Sequence, residues 1–84
     1  MDAENNTDQV NRALDQVKQI RRLRSDRQLA LMLDLEKQNV AAWRSKGEVP
    51  ANRAVQLELI TKNKVTWKML CPRLLQETLE LIER

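Results

Sequence analysis

Residues 25–50 read SDRQLALMLDLEKQNVAAWRSKGEVP, and this stretch decides the fold. Ser25-Asp26-Arg27-Gln28 fits a capping box, in which the Ser hydroxyl and the Gln amide each meet a free backbone N–H at a helix start. The short helix that follows runs to Leu33, with Leu29, Met32 and Leu33 on one side and small Ala30 beside them. Asp34-Leu35-Glu36 is a break, because Asp tolerates left-handed backbone angles better than most residues other than glycine. Glu36–Lys46 then reads as a second helix with Val40 and Trp43 inward. Gly47 ends it, as a glycine just past a helix does, and Pro50 stands where the first turn of a further helix accepts proline.

Working outward, the N-terminal side carries Val10, Ala13, Leu14, Val17 and Ile20 at spacings of three and four, the pattern of an amphipathic helix from Asp8 to Leu23. Thr7 is its expected cap, and residues 1–7 are expected to form a disordered acidic N-terminus. On the C-terminal side, Ala54, Val55, Leu57 and Ile60 predict a helix stopping near Asn63, a left-handed cap. Thr66 is expected to cap the turn Trp67-Lys68-Met69-Leu70, and Pro72 to break it or open the next element. Leu74, Leu75, Thr78, Leu79 and Ile82 predict a last amphipathic helix. The chain is therefore expected to be all-α, with five helices in a domain over 8–75 and a helical tail over 76–84, and the candidate dimer contacts are the C-terminal segment Leu74–Ile82 or the long first helix.

Composition excludes several functions. The chain has 84 residues, one glycine, two prolines, one cysteine, two tryptophans and no histidine, tyrosine or phenylalanine. Without histidine the usual proton shuttle near neutral pH is missing, and Cys71 alone makes neither a disulfide nor a Cys/His zinc site. Cys71 reads as a buried small hydrophobe, and Trp43 and Trp67 as core rather than a base-stacking platform. Glu77, Glu80 and Glu83 read as a solvated acidic face. The expectation is no enzyme, no cofactor and no metal. The longest apolar run is five residues, Leu29–Leu33, far short of a membrane span. An acidic start, Met1-Asp2-Ala3-Glu4, is no signal peptide, so a cytoplasmic location is expected.

Charge is unevenly placed. Residues 10–73 hold 14 Lys/Arg against 6 Asp/Glu, while residues 1–9 and 74–84 carry net −3 and −2. A basic body with acidic ends is the electrostatic footprint of a nucleic-acid binder.

The two short helices and their three-residue break have the parts of a helix-turn-helix. Ala30 lets the second helix cross closely, Leu35 plugs the gap, and Val40 and Trp43 anchor the second helix from below. Three groups of residues resemble phage Cro proteins and the N-terminal domains of CI-type repressors. They are Gln28-Leu29-Ala30 through Asp34-Leu35, Val40-Ala41-Ala42-Trp43-Arg44, and Gly47-Glu48-Val49-Pro50 with Ala51-Asn52-Arg53-Ala54-Val55. Lys64-Val65-Thr66 and Leu70-Cys71-Pro72-Arg73-Leu74 extend the resemblance, which covers residues 25–75. It implies a lambda-repressor-like helix-turn-helix domain that binds an operator as a homodimer in a bacterial host cell and represses transcription. The chain departs from the pattern in Asp34, where the family usually has Gly, in Glu36 opening the second helix, and in a longer first helix.

A helical wheel identifies the expected DNA-facing residues. With Val40 at zero, Gln38, Ala41, Ala42 and Ser45 fall between about 100° and 200°. Lys37, Gln38 and Asn39 lie at the helix start, the end that meets base edges in this motif. Gln38 suits adenine, Lys37 guanine, and Ala41 and Ala42 a thymine methyl. Arg27, Gln28, Arg44, Lys46 and Arg53 are the expected phosphate contacts. Leu31 and Ile60 are expected to meet the first helix or a partner. The competing reading is a protein–protein module, an antirepressor or antitoxin-like partner on the same fold, motivated by Glu36 and the acidic C-terminal face.

Overall fold

The computed structural model describes residues 3–84, with side chains from Asn6 onward. Among these residues it is all-helical. The elements are α1 (Ala3–Arg21), α2 (Asp26–Met32), α3 (Lys37–Lys46), α4 (Ala51–Ile60), α5 (Trp67–Leu70) and α6 (Pro72–Ile82). The six helices occupy 42 × 25 × 18 Å. None is long and apolar enough to cross a membrane.

The apolar spacing of α1 turns one face inward. Val10, Ala13, Leu14 and Val17 are buried there, and α1 packs on α3 and α5. Against this face lie Leu29 and Ala30 of α2, Val40 and Trp43 of α3, Ala54 and Leu57 of α4, and Leu70 of α5, all buried. Among the described residues, fifteen buried apolar side chains make one contiguous core. Full burial of a side chain such as Leu14 or Leu57 contributes about 1.5–3 kcal/mol.

Helix ends are closed without a supply of glycine. Arg22, Asp34, Lys62, Asn63 and Gly47 take left-handed angles, with φ of 57°, 61°, 55°, 67° and 68°. After Arg22, Asp34, Lys62 and Gly47 the next residue's N–H reaches back five residues: Leu23 to Lys18, Leu35 to Ala30, Asn63 to Glu58, and Glu48 to Trp43. These bonds satisfy carbonyls that a helix end leaves open. Gly47 has a second reason to be glycine. A Cβ there would stand 2.9 Å from both the backbone nitrogen and Oγ1 of Thr7.

Carboxylates close two N-termini. Glu48 accepts from the N–H groups of Arg73 and Leu74, and Glu58 from that of Trp67. A negative group there also meets the favourable end of the helix dipole. Val49 N–H donates to the Leu70 carbonyl at 2.9 Å, and the Cys71 thiol donates to the Val49 carbonyl at 3.0 Å. Buried Thr61 bridges its own turn, donating to Leu57 and accepting from Val65 N–H.

The described residues form six helices, the expected five and the helical tail, and α6 runs unbroken from Pro72 to Ile82. Other expectations are corrected. The first helix starts at Ala3, so Thr7 lies within it and does not cap it. Of the segment expected to be disordered, residues 3–7 are helical, and residues 1–2 lie outside the described residues. Trp67 is half-buried rather than interior, and packs on the core from its edge.

Candidate nucleic-acid interface

The candidate surface is built on α2, the 33–36 connection and α3. Ser25 Oγ accepts from Gln28 N–H at 3.2 Å, which fixes the start of α2. Gln28 Oε1 accepts from Arg24 N–H at 2.6 Å, one residue before the N–H that the capping-box reading assigns to it. Asp34 in the left-handed conformation turns the chain, and half-buried Leu35 packs on the core between the two helices. At the start of α3, Asn39 Oδ1 accepts from Glu36 N–H at 3.1 Å.

With Val40 and Trp43 buried, the other face of α3 is turned out. Lys37, Gln38, Ala41 and Ser45 are exposed, as is Lys46 at the end. Ala42 is half-buried and borders a hollow with Asn39, Lys46, Pro50 and Arg73. Asn39 is exposed, but its carbonyl oxygen already serves the helix start, so only its amide NH₂ remains to address a base. A second groove runs along the other edge of α3, lined by Arg27, Leu31, Leu35, Glu36, Lys37 and Gln38. Leu31, expected against the first helix or a partner, is 64% exposed on this groove. Ile60 is half-buried against the core.

Of the expected phosphate contacts, Arg27 and Lys46 are exposed at opposite ends of this surface. Gln28 is exposed too, with its carbonyl oxygen and its backbone N–H both engaged at the start of α2. Arg53 is half-buried, and its Nη1 is anchored by the Leu33 carbonyl and Gln56.

Arg44, expected on a phosphate, has its guanidinium turned toward α1 and α2. Nε and Nη2 hold the two Asp26 oxygens at 2.8 and 2.9 Å, and Nη2 also meets Asp15 at 2.7 Å. Nη1 donates to Asn11 Oδ1 at 2.7 Å and to the Asn11 carbonyl at 3.4 Å. A guanidinium has five N–H donors, and this set engages all of them. Lys18 lies 3.2 Å from Asp26 on the same network. The hydrogen bond from Arg44 is the chief reason the Asp26 carboxyl sits below its ordinary range, with Lys18 adding and burial opposing. Arg44 in turn is penalised by burial, but its bonds to Asp26 and Asp15 outweigh this and hold it charged.

Arg73 was missed by the sequence reading. It opens α6, is exposed, and borders the hollow beside Ala42 and Lys46. The signal lay in Glu48: a carboxylate capping α6 draws that helix start against the end of α3.

No family model, no curated protein and no solved structure matches the chain.

Cys71 is buried, and burial, with Glu48 adding, pushes its thiol up to about 11. Among the described residues no cluster of three metal-ligating side chains occurs.

Proposed function

We propose that the chain is a sequence-specific duplex-DNA-binding regulator, a Cro-like repressor in which α2 and α3 act as a helix-turn-helix. In this reading α3 enters the major groove. Gln38 and Lys37 address base edges, Ala41 and Ala42 allow close approach, and Ser45 and the Asn39 amide extend the set. Arg27, Lys46, Arg53 and Arg73 hold flanking phosphates, and repression follows from covering a promoter.

One observation carries the reading. A helix pinned from below by Val40 and Trp43 turns Lys37, Gln38, Ala41 and Ser45 outward together, with cations at both ends. Gln38 on this face can pair bidentately with a base, and Lys37 can donate as a point charge. A single helix of this length reads few base pairs, so the proposal includes a homodimer on two half-sites about 34 Å apart.

The test is a nitrogen-15 NMR titration with duplex DNA. The reading predicts that amide shifts concentrate at residues 27–28, 36–46, 53 and 73. Shifts absent from residues 36–46 contradict it.

A further inference from the structure

One apolar side chain stands apart from the rest. Of the large exposed hydrophobics among the described residues, five lie on α4 and α6, and only Leu31 lies on the α2–α3 side. It lines the groove along α3 with Arg27, Leu35, Glu36, Lys37 and Gln38, a hollow of about 380 Å³. The same groove thus holds a carboxylate, Glu36, exposed at the start of α3. Beside the phosphates of DNA a carboxylate is repelled, and Arg27 and Lys37 line the groove with it as counterweights. What such a group supplies is selection among bases.

A carboxylate accepts hydrogen bonds and donates none. In the major groove guanine shows two acceptors, thymine an acceptor, and adenine a donor beside an acceptor. Cytosine alone shows a donor, its N4 amino group, with no acceptor beside it. Glu36 is therefore attracted to that amino group and repelled by the acceptors of guanine and thymine. Lys37, next along the chain, suits O6 and N7 of the guanine paired with the same cytosine. The C5 edge of cytosine adjoins the amino group and is apolar. Leu31, with half-buried Leu35, supplies an apolar wall in the same groove.

We propose that this groove reads one cytosine in each half-site: Glu36 accepts from its N4 amino group, Leu31 covers its C5 edge, and a methyl group at C5 strengthens binding. The proposal rests on the DNA-binding reading and names the base at a position which that reading leaves open.

The test is selection from a randomised duplex pool by the full chain and its variants E36Q and L31A. Both positions are exposed, so circular dichroism should match the wild type. The wild type is expected to enrich a motif with cytosine at a fixed position. E36Q is expected to lose that preference by about tenfold and turn toward adenine, the base that suits a carboxamide. The enriched duplex is then made with 5-methylcytosine at that position alone, and binding is followed by fluorescence anisotropy. The wild type should bind it about fourfold more tightly, the gain from burying one methyl group. L31A should keep the cytosine and lose the methyl gain. A motif unchanged in E36Q overturns the proposal, as does an E36Q that binds every sequence more tightly with the same motif, the mark of a carboxylate that only repels. So does a methyl gain that is absent from the wild type or retained in L31A. The two readings fail separately. A motif indifferent to Glu36 removes this inference and leaves operator binding. No motif for the wild type removes both.

Discussion

Arg44 and Asp26 meet at two points, Nε to Oδ2 at 2.8 Å and Nη2 to Oδ1 at 2.9 Å. The pair joins the late turns of α3 to the start of α2, and Asn11 and Asp15 bring α1 into the same contact. One side chain thereby sets the angle at which α3 stands off the body. Planar, two-point geometry of this kind is something lysine cannot reproduce.

Replacing Arg44 should therefore cost stability rather than a phosphate contact. Arg44→Met leaves Asp26 with Lys18 alone, and the expected loss is about 1–3 kcal/mol by urea denaturation at neutral pH. Asp26 titrates below its ordinary value of 3.8 in the folded chain. Its contribution is thus complete above that value and disappears as pH falls through the depressed one. The gap between wild type and variant should close on acidification. A gap independent of pH would contradict the role given to this pair.

The two left-handed turns flanking α3 should respond in opposite directions. Asp34 has φ of 61° with a side chain, so Asp34→Gly relieves strain and is expected to raise stability by up to about 1 kcal/mol. Gly47→Ala adds a Cβ at φ 68° and 2.9 Å from Thr7, and should cost more than about 1 kcal/mol. Thermal melts of both variants decide this.

Cys71 should resist alkylation in the folded chain. Burial, with the Glu48 carboxylate adding, holds it as a thiol, pushed up to about 11. Only the thiolate reacts. Labelling at pH 8 is expected to track unfolding; fast labelling of native protein would contradict the buried placement.

Base and phosphate contacts should separate in a salt titration. Lys46→Ala or Arg73→Ala is expected to lower the slope of log K against log salt by about 0.9 per lost phosphate contact, evenly across sequences. Gln38→Ala should leave the slope alone and relax preference at one base pair by about 1–3 kcal/mol. The reverse assignment of effects would overturn the docking of α3.

Local chemistry made much of this fold legible before any coordinates. Gly47, the left-handed Asp34 and Asn63, and the inward Val40 and Trp43 follow from residue type and spacing alone. What escaped depended on partners distant in sequence. Arg44 looks like any cation at a helix end until α1 brings Asn11 and Asp15 beside it, 33 and 29 residues away. Arg73 joins the α3 surface only because Glu48 caps α6 across 25 residues. The early start of α1 escaped for a different reason: Ala3 to Thr7 shows no apolar periodicity, and polar helix turns carry no such signal.

The central claim is that α3 reads duplex DNA as one half of a two-fold pair. The most direct measurement is selection by the purified protein from a randomised duplex library at physiological salt. The account predicts an enriched palindrome with half-sites one DNA turn apart, about 34 Å. No enrichment, with only weak binding that vanishes steeply with salt, would contradict it.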